Sequence, residues 1–529
     1  MNQPNWPGFD ARDPKRCRSF VATLPINQAA QAQSMLPDFL AAMRHAPPPP
    51  REYLEIVEML RSPLAIIQAE ISRHYASKAL PFTAAEEDAY QRVVTLWKAM
   101  AKAYAQIAQI GGGDPAIQAE LAKICQRCIY YSGMVLLEHY RARRAFEPGV
   151  WIELHGYYES AEDWGLATAA VADPLAKAVR STSCANTYAT LLLIDLANPY
   201  GRDPCHLSWI VLWAQRLAPL TRIEPMTAAT GRGFAVDLMR DEGMRPTDIA
   251  EPSPTLRFFD TSGLAPELQQ ILALLKQGRS PASLGLGDEC LQHEANRLLL
   301  QLYRPWCLAA LPRRYQRARG RGSLLCSYGV EAIHYFVSGS EFKQPDHVRM
   351  FSRAEMDSLW TFRNQIDPTQ PLYQTAARLG FSLENWDIVD SSLNGYRLVR
   401  GPAGNRVEHG SLFCLKTASA SQFQLARITW LRLDGEGNLQ IGLLLLPGIP
   451  DALAVRPTGH GISPSEKYTP AFRLGAVASL KEPASLFLPR GWFYPDRVIE
   501  AYIGQQIHVR LTSLLDQGSD FDRVTYTGA

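Results

Sequence analysis

Apolar residues change their period along this chain, and that change sets the fold class. Ile117, Leu121, Ile124, Cys128, Tyr131 and Val135 recur at three- and four-residue intervals, the spacing that lines one face of an α-helix. Far downstream, LARITWLRL and LQIGLLLL flank the turn residues Asp434 to Asn438 and read as a β-hairpin. Helix-forming and strand-forming parts are segregated, which is the pattern of an α+β protein. A chain of 529 residues is also too long for one hydrophobic core and divides into roughly two to four domains.

The helical part begins after the tetraproline Pro47 to Pro50, a stiff extended connector. Leu54, Val57 and Ile66 start a helical pattern there. Thr83 followed by Glu86 is a capping box that opens a helix through Tyr90, Trp97 and Tyr104, ended by Gly111 to Gly113. Further helices fit residues 150 to 172, 184 to 197 and 205 to 217. Trp151, Leu154, Tyr157 and Ala161 are similar to the start of a tetratricopeptide repeat, but no second copy follows at a matching period, so a helical-hairpin bundle is expected. These residues make up a helical domain, 1–218.

Residues 219–310 form a mixed bridging region, with strands in GFAVDLM and TLRFFDT and helices over 264 to 278 and 288 to 307. Residues 311–529 are predominantly β, continuing through SLFLPRGWF, IHVRLTSLL and RVTYT. Short strands between turns predict a barrel or a sandwich, and residues 350 to 366 have the composition of a helical insertion within it.

Composition removes several function classes. With 47% hydrophobic and 20% charged residues and a net charge of +2, no global field draws the chain to nucleic acid, so a polyanion site must come from a local cluster. No stretch reaches the roughly twenty apolar residues of a membrane span, and the N-terminus lacks a signal-peptide core, so a cytoplasmic protein is expected. Nine cysteines, an odd number set mostly in apolar segments, argue for reduced thiols rather than a disulfide framework. Cys125 and Cys128 have a metal-ligand spacing, but no second pair lies at a suitable distance and the segment reads as mid-helix. His155, His334, His409 and His460 form no zinc motif, and neither G-x-S-x-G nor a Walker loop occurs. Glu159, Glu162 and Asp163 read as a solvated helix face. No catalytic constellation, metal site or cofactor is expected.

The local basic cluster is LPRRYQRARGRG, with Arg313, Arg314, Arg317, Arg319 and Arg321 ahead of the apolar run SLLCSYGVEAIHYFV. Arginine clamps phosphate bidentately and stacks its flat guanidinium on a base. Alone, the segment reads first as a solvated basic loop or a nucleic-acid patch. A second motif, WDIVDSSLNGYRLVR, spaces Asp390, Ser392 and Gly395 as D-x-S-x-x-G, and Asn394-Gly395 predicts a tight turn that places Asp390 and Ser392 on a short exposed loop. A carboxylate there can accept from the donor edge of a guanine, and a hydroxyl can add a bond. Glycine allows close approach and, as a turn residue, positive φ.

Together these segments resemble the PilZ family of bacterial cyclic di-GMP receptors, whose signature is R-x-x-x-R before the first barrel strand and D-x-S-x-x-G after a following one. The resemblance covers about residues 311 to 450. It implies a PilZ-like β-barrel that binds cyclic di-GMP, with Arg313, Arg314, Arg317 and Arg321 as candidate phosphate and base contacts and Asp390, Ser392 and Gly395 reading a guanine edge. Arg313 with Arg317 and Arg317 with Arg321 both satisfy the arginine spacing, and the two motifs lie unusually far apart. A receptor without catalytic residues relays its signal by contact, so an unidentified protein partner is expected through the helical region, where Trp97, Trp151, Trp164, Trp209 and Trp213 are core or partner-facing. The competing readings are a degenerate PilZ-like scaffold that binds no nucleotide and an enzyme active in the helical or bridging region.

Overall fold

A computed structural model describes residues 10–176, 179, 181–227, 230–249, 253–308, 316–345, 370–458 and 467–528. The chain divides into two compact units, one of residues 1–78 and 82–312 and one of residues 79–81 and 313–529.

The first unit is built on helices α1 (Pro14–Ala22), α2 (Ala29–His45), α3 (Pro50–Ser72), α4 (Ala84–Ile110), α5 (Pro115–Ala119), α6 (Leu121–Arg141), α7 (Val150–Asp163), α8 (Cys184–Leu196) and α9 (Pro204–Leu217). Helix α4 starts at the Thr83–Glu86 capping box, with both reciprocal hydrogen bonds made, and stops at Gly111. Helix α7 is shorter than its composition suggests. It ends at Asp163 because the chain turns at Gly165, whose φ is +68°, and then runs into the two-stranded β1 (Val171–Ala172) and β2 (Ser181–Thr182). Beyond α9, β3 (Arg222–Pro225), β4 (Phe234–Asp237), β5 (Arg245–Pro246) and β6 (Leu256–Asp260) form a sheet ordered β3-β6-β4-β5, followed by α10 (Leu264–Lys276) and α11 (Gln292–Cys307). One apolar core spans the unit and takes in Trp97, Trp151, Trp213 and Trp306, while Trp164 is 54% exposed. Cys125 and Cys128 are buried on α6, and burial pushes the Cys125 thiol up to about 11.

A buried ionic cluster ties the β1–β2 segment to α3 and α6. Asp173 accepts from Arg61 Nη2 at 2.9 Å and lies 3.2 Å from Arg127 Nη1. Glu58 takes Arg127 Nε at 2.9 Å and the Tyr104 hydroxyl at 2.5 Å. Burial would raise the Glu58 carboxyl, but the Arg127 hydrogen bond and charge, helped by Tyr104 and Arg61, hold it below the usual carboxylate range. Two carboxylates against two guanidiniums balance the charge, which is how such groups survive burial.

The second unit holds two closed β assemblies. The first contains β7 (Ala318–Arg319), β8 (Ser323–Tyr328), β9 (Glu384–Ser392), β10 (Gly395–Arg400), β11 (Leu412–Lys416), β12 (Gln424–Leu433) and β13 (Leu439–Leu445), in the order β10-β13-β12-β11-β8-β9-β7. The additional β9–β10 pairing closes a six-stranded antiparallel ring, with β7 added beside β9. The hairpin read from LARITWLRL and LQIGLLLL is β12–β13. Between β8 and β9 lie α12 (Val330–Ser338) and α13 (Gln370–Arg378); the expected insertion over 350 to 366 lies outside the described residues. The second assembly is a closed barrel ordered β14-β15-β16-β19-β18-β17, formed by β14 (Pro450–Pro457), β15 (Thr469–Leu474), β16 (Ser485–Pro489), β17 (Val498–Tyr502), β18 (Gln506–Gln517) and β19 (Phe521–Gly528). The β region is thus a ring followed by a terminal barrel.

Ring and terminal barrel share an apolar cluster that includes Ile333 and Phe336 of α12, Leu412 and Leu425 of the ring, and Phe472, Phe487 and Phe521 of the barrel. The turn between β18 and β19 clasps the ring: Asp520 Oδ1 accepts the Leu412 N–H at 2.9 Å, Ser519 N–H donates to the Gly410 carbonyl at 3.2 Å, and Asp516 pairs with Arg427. Among the described residues no helix is long and apolar enough to cross a membrane.

Candidate site on the outer face of the ring

The two motifs meet at β9. Arg317, just before β7, makes an ion pair with Asp390, and Arg319 stands opposite Asp390 in the β7–β9 register. On the other side of the strand Asp390 is opposite Arg397 of β10. Directly opposed residues of an antiparallel pair share a face, so Asp390 lies among three arginines. Among the described motif arginines, Arg317 is therefore the one that pairs with the Asp-Ser-Gly segment. Arg321 lies beyond β7 and is exposed, and Arg313 and Arg314 lie outside the described residues.

Two local features allow this juxtaposition. A Cβ on Gly320 would come within 2.1 Å of the Ile388 side chain, so only glycine lets the arginine segment run this close to β9. The β9–β10 register shifts between Arg397 and Leu398, because Asp390 and Ile388 face them and Val389 is left over as a bulge. A bulge re-aims the residues beside it, and this one keeps Asp390 outward while Leu398 stays buried in the ring. Inside, Arg400 braces the hairpin base: it reaches Glu384 at 2.6 Å and stacks 4.9 Å over the Trp386 ring.

The Asp-Ser-Gly segment departs from expectation in two respects. Asp390 and Ser392 belong to the ladder of β9 rather than to an exposed loop, because the turn takes only Leu393 and Asn394 and the strand runs to its last position. Gly395 opens β10, and its φ is not positive. Its requirement is space, since a Cβ there would lie 2.1 Å from the Leu443 carbonyl oxygen. Ser392 Oγ is 3.0 Å from Asn394 Oδ1 and 3.3 Å from the Gly395 carbonyl. Its single proton is thus held within the turn and its lone pairs remain to accept.

The structure adds residues that motif reading missed. Gln440 of β13 accepts at Oε1 from Arg397 Nη2 at 3.0 Å and from Arg432 Nη2 at 3.2 Å. Gly442, opposite both Arg397 and Trp430, is covered by the indole: a Cβ on it would lie 1.9 Å from Trp430 Nε1. The signal available in the sequence was the period of two: once Asp390 is assigned outward, these outward positions on β10, β12 and β13 follow, but only if the strand order is known. Among the described residues, no group of three or more His, Cys, Asp and Glu side chains is arranged to hold a metal.

Comparison with known proteins bears on both ends of the chain. Residues 15–228 match the family described as "Cyclic-di-GMP receptor FimW, N-terminal domain", and residues 453–528 match the "FimW C-terminal beta-barrel domain". The second match coincides with the terminal barrel, and the ring carrying the two motifs lies between the matched segments. A Pseudomonas aeruginosa protein, "Cyclic-di-GMP receptor FimW", is 23% identical over an alignment covering 90% of this chain and 84% of its own length. In its helical region, in its terminal barrel and along most of its length, this chain is thus similar to the FimW cyclic-di-GMP receptors.

Proposed function

We propose that this protein is a cyclic di-GMP-binding effector that works by binding rather than catalysis, in the cytoplasm, and relays second-messenger level to a protein partner. The observation that carries the reading is the convergence of Arg317 and Asp390, from motifs 73 positions apart in sequence, on one outward strip of the ring. The similarity to cyclic-di-GMP receptors at both ends of the chain supports it. In the bound state Arg317 would exchange the Asp390 carboxylate for a phosphate, and Asp390 would take the N1 and N2 donors of guanine. Ser392 would accept alongside, and the missing Cβ of Gly395 would admit the ligand to the backbone. Arg313, Arg314 and Arg321 remain candidates for further phosphate contacts.

The test is a calorimetric titration of the full chain with cyclic di-GMP, cyclic di-AMP and a random single-stranded oligonucleotide. Cyclic di-GMP is expected to bind far more tightly than the others, because an adenine edge leaves Asp390 facing an acceptor. Asp390→Asn should cost much of that preference. Equal binding by the oligonucleotide would reduce the arginine segment to a basic patch, and no binding at all would leave the ring as an interaction scaffold.

A further inference from the structure

A cavity of about 750 Å³ opens against the start of the apolar stripe of α6. Leu121, Ile124, Cys125 and Cys128 line it from that helix, at positions i, i+3, i+4 and i+7 that share one helix face. Ile124, Cys125 and Cys128 are each no more than 5% exposed, so this floor is deep. Helices α4 and α7 both pack on α6 and supply the walls. From α4 come Ala105 and Ala108, side chains too small to fill the space, and from α7 come Tyr157, Ser160 and Trp164, again one face of a helix. The Trp164 indole, 54% exposed although its neighbour Trp151 is buried, borders the opening. Clefts of about 300–1,000 Å³ with mainly apolar walls and a few polar groups are the form that small-molecule sites take.

The lining also states what kind of molecule fits. Among the described residues no Asp, Glu, Lys or Arg side chain lines the cavity. Burial raises the Cys125 and Cys128 thiols and the Tyr157 hydroxyl, so these groups stay protonated and uncharged as well. An ion placed here would lose its water without meeting a countercharge, which is costly. The polar groups present are largely committed as donors. The Tyr157 hydroxyl donates to Glu153 at 3.2 Å, Ser160 Oγ to the Gly156 carbonyl at 2.8 Å, and Gln118 Nε2 to the Gly112 carbonyl at 2.7 Å. What each keeps is oxygen lone pairs. The cavity therefore offers acceptors over an apolar floor, and the complementary group on a ligand is a neutral donor.

We infer that the cavity between α4, α6 and α7 is a binding site for an uncharged, mainly apolar small molecule that carries a hydrogen-bond donor such as a hydroxyl. The site lies wholly within the first unit and does not depend on the cyclic di-GMP reading.

The test uses the full chain and Nile red, a neutral apolar dye, followed by displacement of the bound dye with 1-decanol or with decanoate. The parent should bind the dye with a change in tryptophan emission that is missing from Trp164→Phe. Decanol should displace the dye at a concentration lower by about tenfold or more than decanoate, which has the same chain length but a charged head. Ala108→Phe and Ser160→Phe fill the cavity from its two walls, and each should weaken dye binding by about tenfold or more while keeping the parent's circular dichroism. If one of these variants fails to fold, the other and the Trp164 signal decide. A parent that binds no dye, or folded variants that bind it as the parent does with no Trp164 signal, would overturn the site. Decanoate displacing as well as decanol would overturn the ligand class.

Discussion

Asp520 should make the clasp between terminal barrel and ring sensitive to pH. Burial pushes its carboxyl from the usual 3.8 to about 6, and nearby Glu408 adds to the rise, against the lowering effect of the Leu412 N–H it accepts. A raised carboxylate pKa means that the folded state prefers the protonated form. The associated stability is fully present below about 4 and is lost as pH climbs through about 6. A pKa raised by about 2 corresponds, at 1.36 kcal/mol per pH unit, to about 3 kcal/mol. Because the residue keeps part of its surface in water, about 1.5–3 kcal/mol is the realistic range. Asp520→Asn removes the charge and keeps the Oδ1 acceptor for Leu412. For a unit of this size 1 kcal/mol moves Tm by about 2–4 °C, so the variant should melt about 3–12 °C higher than the parent at pH 7.5, with about a third of that offset left at pH 4.5. Thermal melts monitored by circular dichroism across that interval measure the difference. A constant offset between variant and parent at every pH would refute the reasoning, since it would mean that the carboxyl titrates in the native protein as it does in water.

Substitutions at three other positions test separate parts of the structure. Arg317→Ala should weaken cyclic di-GMP binding by about 2–4 kcal/mol in a titration, and Arg317→Lys should recover only part of it, because lysine keeps the charge but not the planar fork. Gly395→Ala forces a Cβ against the Leu443 carbonyl at 2.1 Å; it should cost the ring about 1–3 kcal/mol in denaturant unfolding, together with binding, whereas an unchanged midpoint would mean that the hairpin shifts freely. Asp173→Ala leaves Arg61 and Arg127 buried with too little countercharge and should destabilise the helical unit by about 3–5 kcal/mol in the same assay.

Where one stretch of chain contains all the physics of an element, the sequence shows that element. The Thr83 cap needs only Glu86, and the β12–β13 hairpin needs only two alternating runs and a turn, so both were readable. The D-x-S-x-x-G motif was equally visible, yet its backbone was not: Asn394-Gly395 carries a strong turn signal, but the glycine is required by a carbonyl on β13, a strand that follows only after β11 and β12. Trp164 shows the same limit. Nothing in its neighbourhood distinguishes it from the buried Trp151, because exposure is decided by what packs against the end of α7. The arginines at 397 and 432 look like ordinary solvated positions until the strand order places them around Gln440.

The pairing of β9 with β7 and β8 has a consequence for the order in which the ring assembles. The β9–β10 and β12–β13 hairpins close short loops and can form early. The pairing of β8 with β9 must close a loop holding α12 and α13, and the entropy lost in closing a loop grows with its length. Arg317 and Asp390 sit on either side of that seam. On the cyclic di-GMP reading proposed above, recognition would be a property of the ring's last-formed junction, and the capacity to bind would report completion of folding rather than the presence of any one hairpin.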